Sequence, residues 1–250
     1  MNVATTPVWL AVPLPGVQVH TIAAEDLNQA MARDTAQRLR EAISAQNQAV
    51  LCVSGGKSPI PFFEALSAQK LDWSKVHVTL ADERCVGAEH DASNAGLVKN
   101  HLLQGPAQAA QWTGLMPEPW MTATPAQWAA LASKNVQKIG PADVLVLGMG
   151  EDGHTASLFL TASNLSHALD MAQPDACLSM ELTSLPANAP YPRITQTMSQ
   201  LLKARHILLP ITSKGKHDVL SQAWLKRSAA LPVSYVLHQS QSPVHVWISE

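Results

Sequence analysis

The chain has 250 residues, 46% of them hydrophobic and 14% charged, which is ample for a sizeable core and too apolar for disorder. Its net charge of -2 gives no general field for nucleic acid or an anionic membrane, so an anionic ligand must be held by a few placed cations and backbone N–H groups. The three cysteines are an odd number without C-x-x-C spacing, and Cys52 and Cys177 sit in apolar runs, which points away from disulfides and from a zinc site. The N-terminus lacks a basic n-region and its apolar residues are interrupted by prolines. No window approaches the roughly 20 apolar residues of a membrane span. A soluble cytoplasmic protein is expected, with no membrane, nucleic-acid or obligate protein partner.

In chain order, Val17 to Ile22 reads as a strand and Ala24 to Ala45 as an amphipathic helix. That helix places Leu27, Ala30, Met31, Leu39 and Ile43 on one face and leaves Arg33, Arg38 and Arg40 for solvent. Ala49 to Val53 is a compact apolar strand ending in Ser54-Gly55-Gly56-Lys57-Ser58-Pro59, with helix from Pro61 to Ala68. Val76 to Ala81 is a third strand, followed directly by Asp82-Glu83-Arg84. A polar stretch leads to Ser93-Asn94 and a helix over Ala95 to Leu103. Gly105 to Pro125, rich in proline and tryptophan, reads as an irregular excursion, and Gln127 to Ile139 as helix. Asp143 to Leu147 is an unalternating apolar run, the pattern of a strand buried on both faces of a parallel sheet. Beyond it come a short helical pattern after Gly153, a strand over Ala176 to Leu182, and a proline-rich loop over Leu185 to Pro192. A helix opening at Arg193-Ile194-Thr195 and reaching Ala204, a strand His206 to Ile211, a helix Lys214 to Lys226 and a strand His245 to Ser249 complete the pattern. The strand–loop–helix recurrence predicts one α/β domain over residues 1–250: a doubly wound, mainly parallel sheet with helices on both faces.

Ligands of such sheets bind at the carboxyl ends of the strands. Two segments there carry the chemistry. Ser54-Gly55-Gly56, at a strand end and feeding a helix N-terminus, is a ready anion cradle. Gly148, Gly150 and Gly153 form a crowded turn that brings backbone N–H groups, Asp152 and His154 to a small ligand. Histidine, with an ordinary pKa of about 6.5, is suited to act as general base on water. Asp82-Glu83-Arg84 follows a strand at the same edge, and arginine matches phosphate bidentately. Arg193 and Lys216 could add positive charge there.

Other chemistries find less support. Gly148, Gly150 and Gly153 match G-x-G-x-x-G, but no second strand ending in an acidic residue follows about 20 positions on. Gly56-Lys57-Ser58 resembles the tail of a P-loop, yet Leu51 occupies the position of its first glycine. No G-x-S-x-G elbow appears, and Ser157 has no visible activating partner. His77, His90, His101, His206 and His245 lack metal-ligand spacing, so no metal is assigned.

Taken together these segments resemble the 6-phosphogluconolactonase family. Ser54-Gly55-Gly56 with Pro59 is similar to its phosphate loop, Ala81 to Val86 with Ser93-Asn94 to its second block, and Gly148 to Phe159 to its most specific block. Pro192-Arg193-Ile194-Thr195 and Lys216 resemble two later blocks. Leu160 stands where the family commonly has proline, and Ser213 where it usually has glycine. The resemblance implies a Rossmann-like fold shared with sugar-phosphate isomerases and deaminases. It also implies hydrolysis of a 6-phosphorylated gluconolactone without a cofactor. By position, His154 would be the general base with Asp152 beside it. Ser54, Gly55, Gly56, Arg84 and Lys216 would hold substrate or phosphate, with Lys57, Gly150 and Arg193 adjoining. The rival is glucosamine-6-phosphate deaminase, which follows its histidine with Ile-Ala-Phe-Asn-Glu and has Asp-Glu-Tyr at the second block. Here His154 is followed by Thr-Ala-Ser-Leu-Phe, and the second block reads Asp82-Glu83-Arg84. A sugar-phosphate-binding regulatory module without turnover is the non-enzymatic alternative.

Overall fold

The computed structural model describes residues 12–184 and 190–249. The elements, in chain order, are β1 (Val17–Ile22), α1 (Leu27–Gln46), β2 (Ala49–Val53), α2 (Ile60–Ser67), β3 (Val76–Leu80) and β4 (Asp82–Arg84). Next come α3 (Asn94–His101), β5 (Gln111–Trp112), α4 (Pro125–Ile139), β6 (Val144–Val146), α5 (Leu165–Leu169) and β7 (Cys177–Met180). The chain continues through β8 (Arg193–Gln196), α6 (Met198–Leu201), β9 (Ile207–Ile211), α7 (Lys214–Leu225), α8 (Val233–Leu237) and β10 (Val244–Ser249). Seven strands form one parallel sheet in the order β1-β10-β9-β6-β2-β3-β5. From β2 the chain builds outward through β3 to β5 on one side, and β6 then opens the other side through β9 and β10. The reversal falls between β2 and β6, and such a switch point opens a crevice at the strands' carboxyl ends.

Helices cover both faces, as the sequence predicts. Alternate residues of each central strand enter opposite cores because the side-chain period of a strand is two. Leu51, Val53, Val78, Val144 and Val146 pack with Met31, Leu39, Phe63 and Leu66 of α1 and α2. Cys52, Leu145, Leu147, Leu209 and Ile211 pack on the other face with Leu201, Leu220, Trp224 and Val236. All three cysteines are buried and free, and burial raises their thiols.

Several segments depart from the sequence reading. Arg193-Ile194-Thr195 opens a strand instead of a helix. β8 lies between β4 and β7 in a separate antiparallel sheet, β4-β8-β7, against which α4 packs. Cross-strand pairing there outweighs the local pattern, and the helical part of that segment shrinks to α6. The helix expected directly after Gly153 is replaced by turns and isolated bridges through Thr155 and Leu158, and the first helix beyond is the five-residue α5. Asp82-Glu83-Arg84 is β4, and its two carboxylates are buried. The excursion after Gly105 contributes an edge strand, β5. Arg38 is half-buried beneath the sheet, bonded to Asp34 and to His206. Residues 1–11 and part of the expected loop over 185–192 lie outside the described residues.

One buried carboxylate pins the central strands. Asp143, 3% exposed, accepts from the Val50 N–H at 2.8 Å and from the Gln46 amide at 2.9 Å, and pairs with Arg205 at 3.2 Å. It therefore ties the end of α1 and strand β2 to the start of β6. Asp143→Ala leaves the Val50 N–H with its accepting side chain gone and should destabilise the fold by about 1–3 kcal/mol. Urea unfolding of the variant against wild type checks this.

Candidate active site

β2 and β6 are hydrogen-bonded neighbours, and the two loops singled out in the sequence leave their carboxyl ends side by side. Ser54 N–H donates to the Val146 carbonyl at 3.0 Å, and the Gly148 N–H returns a bond to Ser54 Oγ at 3.2 Å. A cavity of 510 Å³ opens above this junction. Its lining includes Ser54, Gly55, Gly56, Arg84, Gly150, Asp152, His154, Arg193 and Lys216. The structure thus gathers nine of the ten site residues expected from the sequence. Lys57 is the exception: it is exposed and absent from the lining. The loop turns at Gly56, where φ is +92° and a side chain would be strained, so the residue after it is carried out of the crevice.

Among the described residues, the N–H groups of Gly55, Gly56, Lys57 and Ser58 find no acceptor within the protein. They precede α2, where unsatisfied N–H groups and the helix dipole favour an anion. A side chain on residue 55 would collide with the Asn94 amide, which is itself fixed by donating to the Asp82 carbonyl at 2.9 Å. Glycine at 55 is therefore a packing requirement as well as a loop preference.

The cations come from the small sheet and from α7. In the antiparallel β4–β8 ladder Arg84 stands directly opposite Arg193. Like charges in that relation repel, and burial together with Arg84 lowers the pKa of the Arg193 guanidinium. Asp82, 7% exposed and also lining the cavity, offsets part of this charge and is itself held by the Ser157 hydroxyl at 2.5 Å. Ser157 is thus a buried partner of Asp82. Arg84 gives Nη1 to the Ala92 carbonyl at 2.6 Å, whereas its buried Nε has no partner. Lys216 lies in the first turn of α7, half-buried, and burial lowers its pKa.

His154 and Asp152 sit on the facing turn. The imidazole Nδ1 meets Asp152 Oδ1 at 2.5 Å, and the His154 N–H reaches the same oxygen at 3.2 Å. The hydrogen bond from His154 holds the Asp152 carboxyl below its ordinary range. An ionised carboxylate at Nδ1 keeps a proton there in the neutral imidazole and leaves the lone pair on Nε2. Gly150 is required here too, since a side chain would strike His154 Nδ1 and Asp152 Oδ1. The three glycine N–H groups of the turn are already used: Gly148 to Ser54 Oγ, Gly150 to the His154 carbonyl, Gly153 to the Gly150 carbonyl.

Asp82, Asn94, Phe159 and Asn28 also line the cavity and were not singled out from the sequence. Asp82 and Asn94 belong to the segments that carry the family resemblance, but nothing local shows that their side chains turn inward. Asn28 could have been found from topology, because a helix following a parallel strand begins at the carboxyl edge. Among the described residues no group of three or more His, Cys, Asp or Glu is placed to hold a metal ion.

The model of the glucosamine-6-phosphate isomerase/6-phosphogluconolactonase family matches residues 22–247. The chain belongs to that family. It is 44% identical over 225 residues to a 6-phosphogluconolactonase of Pseudomonas putida, covering 89% of this chain and 90% of that one. It is 43% identical to one of Rhizobium meliloti, with 88% and 93% covered. A crystal structure of a 6-phosphogluconolactonase from Shewanella baltica superposes with a TM-score of 0.86 at 38% identity, over 95% of this chain and 99% of that one. The family's parallel-sheet architecture is thus the one expected from the strand–helix order. No described helix is long and apolar enough to cross a membrane.

The arginine strand is anchored by Glu83, 1% exposed, which accepts from the N–H groups of Arg84, Asn94 and Ala95 at 2.7, 2.8 and 2.7 Å. Burial pushes this carboxyl up to about 7 against the pull of those donors. A raised acid is stabilising below its unfolded pKa, and that contribution is lost as pH rises through the folded value. The unfolding free energy of wild type relative to Glu83→Gln should therefore fall by roughly 3 kcal/mol between about pH 4.5 and 7. Denaturant titrations at several pH values measure it.

Proposed function

We propose that this chain hydrolyses 6-phospho-D-glucono-1,5-lactone to 6-phospho-D-gluconate, with His154 as general base. The observation that carries the reading is the pairing, in one cavity, of an Asp152-bound imidazole with an anion cradle of free N–H groups and three cations. The likeness to 6-phosphogluconolactonases over most of the chain supports it.

The phosphate end of the substrate binds at the Gly55–Ser58 amides with Arg84, Arg193 and Lys216. An anion there also relieves the repulsion between the two opposed arginines. Fixing that end presents C1 to His154 and converts water attack into a positioned step. Nε2 takes a proton as water oxygen bonds to C1. The lactone carbonyl becomes an oxyanion as its π electron pair moves onto oxygen. The intermediate then collapses: the C1–ring oxygen bond breaks and the imidazolium returns its proton to that oxygen, giving the open acid. Asp152 keeps the ring oriented and favours its charged form midway. Every proton and electron pair is accounted for by substrate, water and His154, so no cofactor enters the scheme.

His154→Ala should lower lactone hydrolysis by ~10²–10⁴-fold and leave inhibition by 6-phosphogluconate unchanged. The assay couples product to 6-phosphogluconate dehydrogenase and subtracts spontaneous hydrolysis. Near-normal turnover removes His154 from this role, and ammonia release from glucosamine 6-phosphate would favour the deaminase reading. Arg84→Ala should instead raise the inhibition constant of 6-phosphogluconate about 10–100-fold, the loss of a charge-assisted hydrogen bond. Unaltered inhibition would place the phosphate elsewhere.

A further inference from the structure

Phe159 has no part in the proton or phosphate chemistry above, yet its ring touches the residues that serve both. Its centroid lies 4.3 Å from that of the His154 imidazole, with the planes 33° apart. The Arg193 guanidinium lies over the same ring at 5.9 Å. The shorter of the two contacts is the one to the imidazole. Local backbone explains how a residue five positions on returns to His154. Leu158 N–H bonds to the Thr155 carbonyl at 3.0 Å and Phe159 N–H to the Ser157 carbonyl at 3.1 Å, closing consecutive tight turns. Those turns are in turn anchored by buried side chains: Thr155 Oγ1 donates to the Gly148 carbonyl at 2.7 Å, and Ser157 Oγ to Asp82. Asp152 grips the imidazole edge at Nδ1, which fixes one point of the ring and leaves it free to swing about that bond. A flat surface against the ring face removes this second freedom, and tilted or offset aromatic contacts are the favoured geometry for doing so.

We propose that Phe159 is the positioning residue of His154, its ring holding the imidazole face so that Nε2 stays aimed at the water that attacks C1. The proposal rests on the general-base reading of His154. It separates Phe159 from the phosphate-binding groups, since a misaligned base costs turnover without weakening the anion's hold.

The test uses Phe159→Ala and Phe159→Leu, the second keeping apolar bulk without a ring face. Both should lower kcat about 10–100-fold, the scale of a misplacement of about an ångström, with the 6-phosphogluconate inhibition constant within about twofold of wild type. Histidine-ring NMR of the unliganded protein, with the His154 signal assigned by its loss in His154→Ala, supplies a readout independent of turnover. The wild-type signal should carry an upfield ring-current shift that both variants abolish. Wild-type kcat in either variant overturns the proposal, as does a fall in kcat matched by an equal loss of 6-phosphogluconate affinity, which would make Phe159 a ligand-binding residue. Should wild type show no lactone hydrolysis, the functional reading fails. The ring-current comparison would still show whether Phe159 holds the imidazole.

Discussion

The site depends on the pairing of β2 with β6. Ser54 and Gly148, 94 residues apart in sequence, become hydrogen-bonded neighbours because their strands are adjacent at the point where the sheet order reverses. One loop turns unbonded N–H groups to the cavity and the other an imidazole, so strand adjacency fixes the distance between them. The bond is also economical in chemical terms. Ser54 Oγ accepts from the Gly148 N–H, and its own hydroxyl proton remains available to whatever enters the cavity. Asp143, at the opposite ends of the same strands, keeps the pair in register from below.

The second constraint is electrostatic. A chain of net charge -2 concentrates Arg84, Arg193 and Lys216 around one crevice and buries Asp82 and Glu83 on the same strand as Arg84. Opposed arginines in an antiparallel ladder are unfavourable by themselves. The two buried acids reduce that cost, since Asp82 and Glu83 both oppose the lowering of the Arg193 pKa by burial and Arg84. The remaining positive potential is available to a ligand, and the low dielectric of a partly enclosed cavity strengthens it.

What was legible in the sequence follows from where local rules decide the outcome. β1 and β2 match their expected strands, and α7 lies within its expected helix, since periodicity and capping act over neighbouring residues. The anion loop and the Asp-Gly-His turn were legible because glycines at strand ends have few alternative uses. The small sheet was not. Arg193-Ile194-Thr195 has a β-branched pair, but whether it extends or coils depends on β4 and β7, which are contributed by distant parts of the chain. The inward turn of Asp82 and Asn94, and the return of Phe159 to the imidazole, depend on the same tertiary placement. Lys57 shows the converse. Its side chain is exposed and outside the lining, past the positive φ at Gly56, while its N–H stays among the unbonded amides of the loop.

Ser213, where the family resemblance leads one to expect glycine, meets the local demand of a helix start in another way. A glycine preceding a helix supplies conformational freedom; serine instead supplies a cap, and serine is among the favoured residues at that position. Ser213 accepts from the Lys216 N–H at 3.3 Å and donates to Glu151 Oε1 at 2.9 Å. The first bond secures the turn that carries Lys216. The second ties that turn to the loop between Gly150 and His154, and Glu151 opposes the effect of burial on the lysine. Ser213 thereby joins the turn that carries Lys216 to the turn that carries His154, and Lys216 lies in the cavity lining.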